Sequence, residues 1–117
     1  MKINFNQQIL DWEGQPILDK KTVEVQGKPV EVEFPLTLKK VALNSLGAIF
    51  QDEQALTGEE KMKRFKIGMN ISNAKDGVVD IESQDIADLK KVVAKMYSTV
   101  VVGYAWNMLE TPMEVVK

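Results

Sequence analysis

The 117-residue sequence contains neither cysteine nor histidine. Without cysteine there can be no disulfide, thiolate nucleophile or zinc-thiolate site. Without histidine the chain lacks the usual general base near neutral pH and the commonest transition-metal ligand, which excludes most familiar hydrolase mechanisms. Arginine is almost missing too: Arg64 is the single one among fifteen basic residues, and arginine is the side chain best suited to bidentate phosphate or guanine contacts. The net charge is −2, so no basic excess favours a polyanionic partner. No apolar run approaches the roughly 20 residues needed to cross a bilayer, and Met1 to Leu10 lacks the basic-then-apolar layout of a signal peptide. A cytoplasmic protein with no membrane partner is expected.

What is present is the composition of a folded globular chain, 44% apolar and 27% charged. The length fits a single α+β domain over 1–117, with a β-hairpin part at 1–35, a helical part at 36–110 and a C-terminal tail at 111–117. In the first part, Thr22-Val23-Glu24-Val25 and Val30-Glu31-Val32-Glu33-Phe34 alternate with the period of half-buried strands. Two turn signals, Glu13-Gly14-Gln15-Pro16 and Gln26-Gly27-Lys28-Pro29, each fit a two-residue hairpin loop in which glycine supplies the positive φ. Pro16 and Pro29 then fall at positions whose N–H would point away from the partner strand, marking open edges. Such an edge either protects the sheet or accepts a strand from a partner.

After Pro35 the period becomes helical, and a bundle of about four helices is predicted. Thr37 caps the first, running to about Phe50 with Leu38, Val41, Leu46 and Ile49 on one face. Thr57-Gly58-Glu59-Glu60 has the form of a capping box and opens the second, to about Ala74. Its apolar residues form two sets, Met62/Phe65/Met69 and Ile67/Ile71/Ala74, predicting contact with several neighbours. Gly68 lowers the helix propensity there, and close approach of another helix would account for it. Asp76-Gly77 makes a turn, Val78 to Ile81 is extended, and Ser83 caps a third helix with an Ile86, Leu89, Val93 and Met96 stripe. A fourth helix from Ser98 or Thr99 to Glu110 is apolar almost all round, which places it centrally or at an interface.

No constellation of residues points to a catalytic, cofactor or metal site. Between the second and third helices, aligning Gly77 with the sixth position of a calcium loop puts Ser72 first, Ala74 third and Ser83 twelfth, so the necessary carboxylates are missing. Glu59, Glu60 and Asp85 sit in first turns, where negative charge complements the helix dipole. Lys61, Lys63, Arg64 and Lys66 make a basic cluster that either forms a solvated face or contacts phosphate. Tyr104, Trp106 and Met108 on the last helix, with Pro29, Val30 and Val32 at the open strand edge, are the candidate protein interface.

One resemblance stands beside this reading. Leu36-Thr37-Leu38, Leu56-Thr57-Gly58-Glu59-Glu60-Lys61 with Arg64-Phe65, Asp80-Ile81, Asp85-Ile86-Ala87 and Val101-Val102-Gly103-Tyr104-Ala105-Trp106 resemble a family of small, poorly characterised bacteriophage and prophage proteins. The resemblance covers about residues 36–110 and leaves the first 35 aside. The resemblance is one of pattern; taken with the missing reactive side chains, the open strand edge and the apolar last helix, it leads to the expectation of a non-enzymatic phage-type protein acting in virion or tail assembly or by binding a host factor, in the host cytoplasm or associated with the virion. The expected partner is a phage or host protein, with self-association through the terminal helix also expected. The alternative is a nucleic-acid-binding regulator that uses the Lys61 to Lys66 cluster.

Overall fold

Two residues with positive φ determine the longest β element. In the computed structural model, which describes residues 1–48, 50 and 56–112, Gln26 and Gly27 have φ of 53° and 77°. That combination is a type I′ turn, whose twist matches antiparallel strands. It joins β2 (Leu18–Val25) to β3 (Lys28–Pro35) in an eight-pair antiparallel ribbon, closed at Val25 opposite Lys28. Pro29 lies opposite Glu24 and Pro35 opposite Leu18. Counting from the closing pair, both prolines occupy the non-hydrogen-bonded phase, so neither costs the ladder a donor.

The other predicted two-residue loop folds differently. Asp11 Oδ1 accepts from the amides of Glu13 (2.9 Å) and Gln15 (3.0 Å), and the Asp11 amide donates to the Gln15 carbonyl (2.8 Å). A short acidic side chain that binds nearby amides competes with a ladder for them. The result is a wider loop, with pairing limited to one bridge between Leu10 and Pro16.

Below the ribbon, three chain segments meet in a closed ring of backbone hydrogen bonds. Ile9 N donates to Leu36 O (2.8 Å), Leu36 N to Ile17 O (2.8 Å), and Ile17 N to Ile9 O (3.0 Å). Ile9 and Leu36 are buried in the core, and Ile17 packs against it. A second small sheet pairs β1 (Lys2–Asn4) with β4 (Val78–Asp80), antiparallel, with Ile3 opposite Val79.

Among the described residues four helices complete the α+β fold: α1 (Leu38–Gly47), α2 (Gly58–Asn73), α3 (Ser83–Met96) and α4 (Thr99–Glu110). The first turn of α1 is tied to the N-terminal segment and to its own cap. The Leu38 and Lys39 amides donate to the Gln7 and Phe5 carbonyls, Lys40 N to Thr37 Oγ1, and Val41 N to Thr37 O. The amides of Leu38, Lys39 and Lys40, three of those that a helix start leaves without an intrahelical partner, are thus paired, and Val41 makes the first regular helical bond. The helix stops at Gly47, short of the predicted Phe50, because Ala48 turns extended (φ −78°, ψ 152°); Ile49 lies outside the described residues. Thr57 caps α2 as its sequence predicts, accepting from Glu60 N at 3.2 Å. Ser83 does not cap α3: it is the first helical residue, after an extended Glu82 whose side chain makes no cap bond.

The core gathers Ile3, Phe5 and Ile9 with Leu38, Val41 and Ala42 of α1, Ile67 and Ile71 of α2, Leu89 and Val93 of α3, and Val101, Ala105 and Leu109 of α4. Of the third-helix stripe, Ile86, Leu89 and Val93 are buried while Met96 is exposed. No helix among the described residues is long and apolar enough to cross a membrane.

Candidate interaction surface

The second helix buries one of its two apolar sets and leaves the other in solvent. Ile67 and Ile71 enter the core, whereas Met62, Phe65 and Met69 are 52%, 60% and 41% exposed. At about 100° per residue these three share a narrow arc on the outer face, opposite Ile67 and Ile71. On the same projection Lys61 lies along one margin of the arc and Lys66 along the other. Phe65, Met69 and Lys61 also line a shallow groove of about 390 Å³ against Leu43, Leu46 and Gly68 at the α1 contact. The surface is therefore an apolar stripe bordered by cations.

The predicted basic cluster divides around this helix. Lys61 and Lys66 border the stripe, while Lys63 reaches across to α3, its Nζ 2.7 Å from Asp88 Oδ2. Arg64 is half-buried and lines both the groove and a cleft of about 530 Å³ that also involves Asp88, Lys91, Lys95 and Trp106. Asp88 Oδ2 is buried without a hydrogen bond of regular geometry, and the Lys63 ammonium compensates its charge. Burial pushes the Asp88 carboxyl up, but hydrogen bonds from Lys63 and Gln84 and the charges of Lys63 and Lys91 outweigh it, leaving the group below the ordinary carboxylate range. The hydrogen bond to Asp88, and then its charge, hold the Lys63 ammonium above its ordinary value. The four cations do not form one face.

The candidate interface at the fourth helix is largely occupied from within. Trp106 Nε1 donates to the Lys90 carbonyl (3.2 Å), and Lys90 Nζ stands 5.2 Å from its ring centroid. Lys90 also pairs with Glu110. Tyr104 Oη donates to the Asp11 carbonyl (3.3 Å), and Tyr104, Trp106 and Met108 all pack against the core. The helix, apolar almost all round in sequence, is thus a surface helix with one buried edge and two half-covered flanks. Pro29, Val30 and Val32 are instead exposed on the ribbon, where Val30 faces Val23 and Val32 faces Lys21.

Two features escape sequence reasoning. The Met62/Phe65/Met69 set is visible as a periodicity, but periodicity does not say whether a face is covered. Trp12, 81% exposed beside the Asp11 turn, has as its only signal an isolated tryptophan among turn-forming residues. Among the described residues no group of carboxylates converges to hold a metal ion. Compared with protein-family models, curated proteins and solved structures, the chain has no match.

Proposed function

We propose that this chain is a non-enzymatic protein-interaction protein of the phage type, an assembly factor or a binder of a host protein, and that it holds its partner on the outer face of α2. The observation carrying this reading is the Met62, Phe65 and Met69 stripe, exposed in a row between Lys61 and Lys66. Aromatic and methionine side chains are enriched in the centres of protein interfaces, and methionine adapts to irregular partner surfaces. The stripe spans about 10 Å of helix axis, which suits an amphipathic helix laid along it. The flanking lysines favour acidic residues on either side of that helix's apolar face.

Two variants test the reading in lysate from phage-infected cells. Phe65→Asp places a charge in the middle of the stripe, yet at so exposed a position the stability change stays within about 0.5 kcal/mol. A phage or host protein captured by the wild type and lost with Phe65→Asp, but retained by Gln84→Ala on α3, supports the proposal. Capture that ignores Phe65→Asp, or no specific capture by the wild type, refutes it.

A further inference from the structure

Among the described residues no strand pairs with either outer edge of the ribbon formed by β2 and β3, and the two edges differ in chemistry. Because the loop holds two residues and Val25 closes it opposite Lys28, backbone groups of alternate residues point outward. On β3 those residues are Pro29, Glu31, Glu33 and Pro35. Two of them lack an N–H, and the other two carry like charges, so this edge is blocked against pairing with its own kind. On β2 the outward residues are Leu18, Lys20, Thr22 and Glu24, each with an amide; that of Lys20 donates to Asp19 Oδ1 (2.8 Å), an exposed carboxylate that an added strand would displace. A lone two-stranded ribbon is only marginally stable in water, and a third strand strengthens it. The open edge therefore has something to gain from an added strand.

Charge selects the strand. From these observations we infer that two copies of this chain associate through their β2 edges, antiparallel about Thr22, to form a four-stranded sheet in the order β3, β2, β2, β3. In that register Lys20 stands opposite Glu24 of the second copy, twice by symmetry, and Thr22 opposite Thr22. Lys20 already faces Glu33 across its own ribbon, so each lysine lies in a row between two glutamates. Other registers are poorer: centring on Lys20 or Lys21 opposes lysine to lysine, and centring on Val23 leaves Lys20 opposite Gln26. Opposite charges directly across antiparallel strands are favourable, and like charges are unfavourable. On the other face Val23 of each copy stands opposite Lys21 of the second and Val25 opposite Asp19, so the valines of the two ribbons meet only on the diagonal.

The absence of native cysteine makes the test direct. Light scattering is expected to give twice the 13.2 kDa of the chain, and Thr22→Cys, as the sole thiol, to oxidise to a covalent dimer. Glu24→Lys should weaken self-association about tenfold or more by placing two lysines opposite two others. Its own ribbon partner is Pro29, so circular dichroism should be unchanged. Mixing Glu24→Lys with Lys20→Glu should restore association as a heterodimer, because both charged pairs across the junction between the copies are then of opposite sign. A wild-type monomer at all concentrations, a dimer indifferent to Glu24→Lys, or a dimer that Thr22→Cys does not cross-link each overturns the inference. None of these outcomes depends on the outer face of α2.

Discussion

Replacing Gly68 by alanine should stabilise the protein, and the size of the gain follows from what surrounds that glycine. An added Cβ would lie 3.8 Å from Leu43 Cδ2 and 3.8 Å from Leu46 Cδ1, ordinary van der Waals contact with the α1 side chains. Close approach thus limits a longer side chain but leaves room for a methyl group. Glycine in a helix interior costs about 0.8 to 1.0 kcal/mol relative to alanine, so Gly68→Ala should recover about 1 kcal/mol. An unfolding entropy near 2.1 cal/mol/K per residue over this chain converts that gain to a Tm rise of about 4 °C. Gly77→Ala is the control of opposite sign. There φ is +77°, and the new Cβ would fall 2.2 Å from Asn6 Nδ2. Left-handed backbone costs an L-residue about 1 to 2 kcal/mol. The displaced Asn6 amide also loses its bond to the Asp76 carbonyl, about 1 kcal/mol more. Differential scanning calorimetry with urea titration of both variants measures the difference. A fall in Tm for Gly68→Ala would refute the spacing assigned to α1 and α2, and a neutral Gly77→Ala would refute the turn geometry.

Two further outcomes are expected. Asp88 has its folded-state pKa depressed below the unfolded value, so its contribution is present above about pH 4 and is lost as pH falls through the folded pKa. Asp88→Asn should therefore lower stability at pH 7 and flatten the acid limb below about pH 4, as acid titration followed by circular dichroism will show; an unchanged acid limb would refute this. Gln26→Asn should stabilise the ribbon by a few tenths of a kcal/mol, since asparagine tolerates the positive φ that glutamine adopts in the turn. Slower amide exchange at Val25 and Lys28 is the measurement, and faster exchange would contradict the turn assignment.

The parts of the fold legible in sequence are those fixed by neighbouring residues. Thr57 with Glu60, Thr37 before Leu38, and Gln26-Gly27 between alternating strands each act within a few positions, and each appears where expected. The pairing of Lys2–Asn4 with Val78–Asp80 was not legible, because three residues are too few to show alternation and the partners are far apart in the chain. At the candidate surface the limitation is different. Met62, Phe65 and Met69 have the spacing of a core stripe, but only the placement of α1 and α3 decides that Ile67 and Ile71 fill the interior instead. The four basic residues from Lys61 to Lys66 look continuous in sequence, yet 100° per residue carries them around the helix, and Asp88 on another element claims one of them.

The ring joining Ile9, Ile17 and Leu36 has a consequence for how this architecture can vary. Each of the three backbones both gives and receives, so the knot closes without help from anything above it. Strand residues can then be removed or inserted two opposed pairs at a time beyond it, so that every remaining side chain keeps its face, without breaking a bond of the ring. The arm's reach is thereby uncoupled from the foundation that carries it.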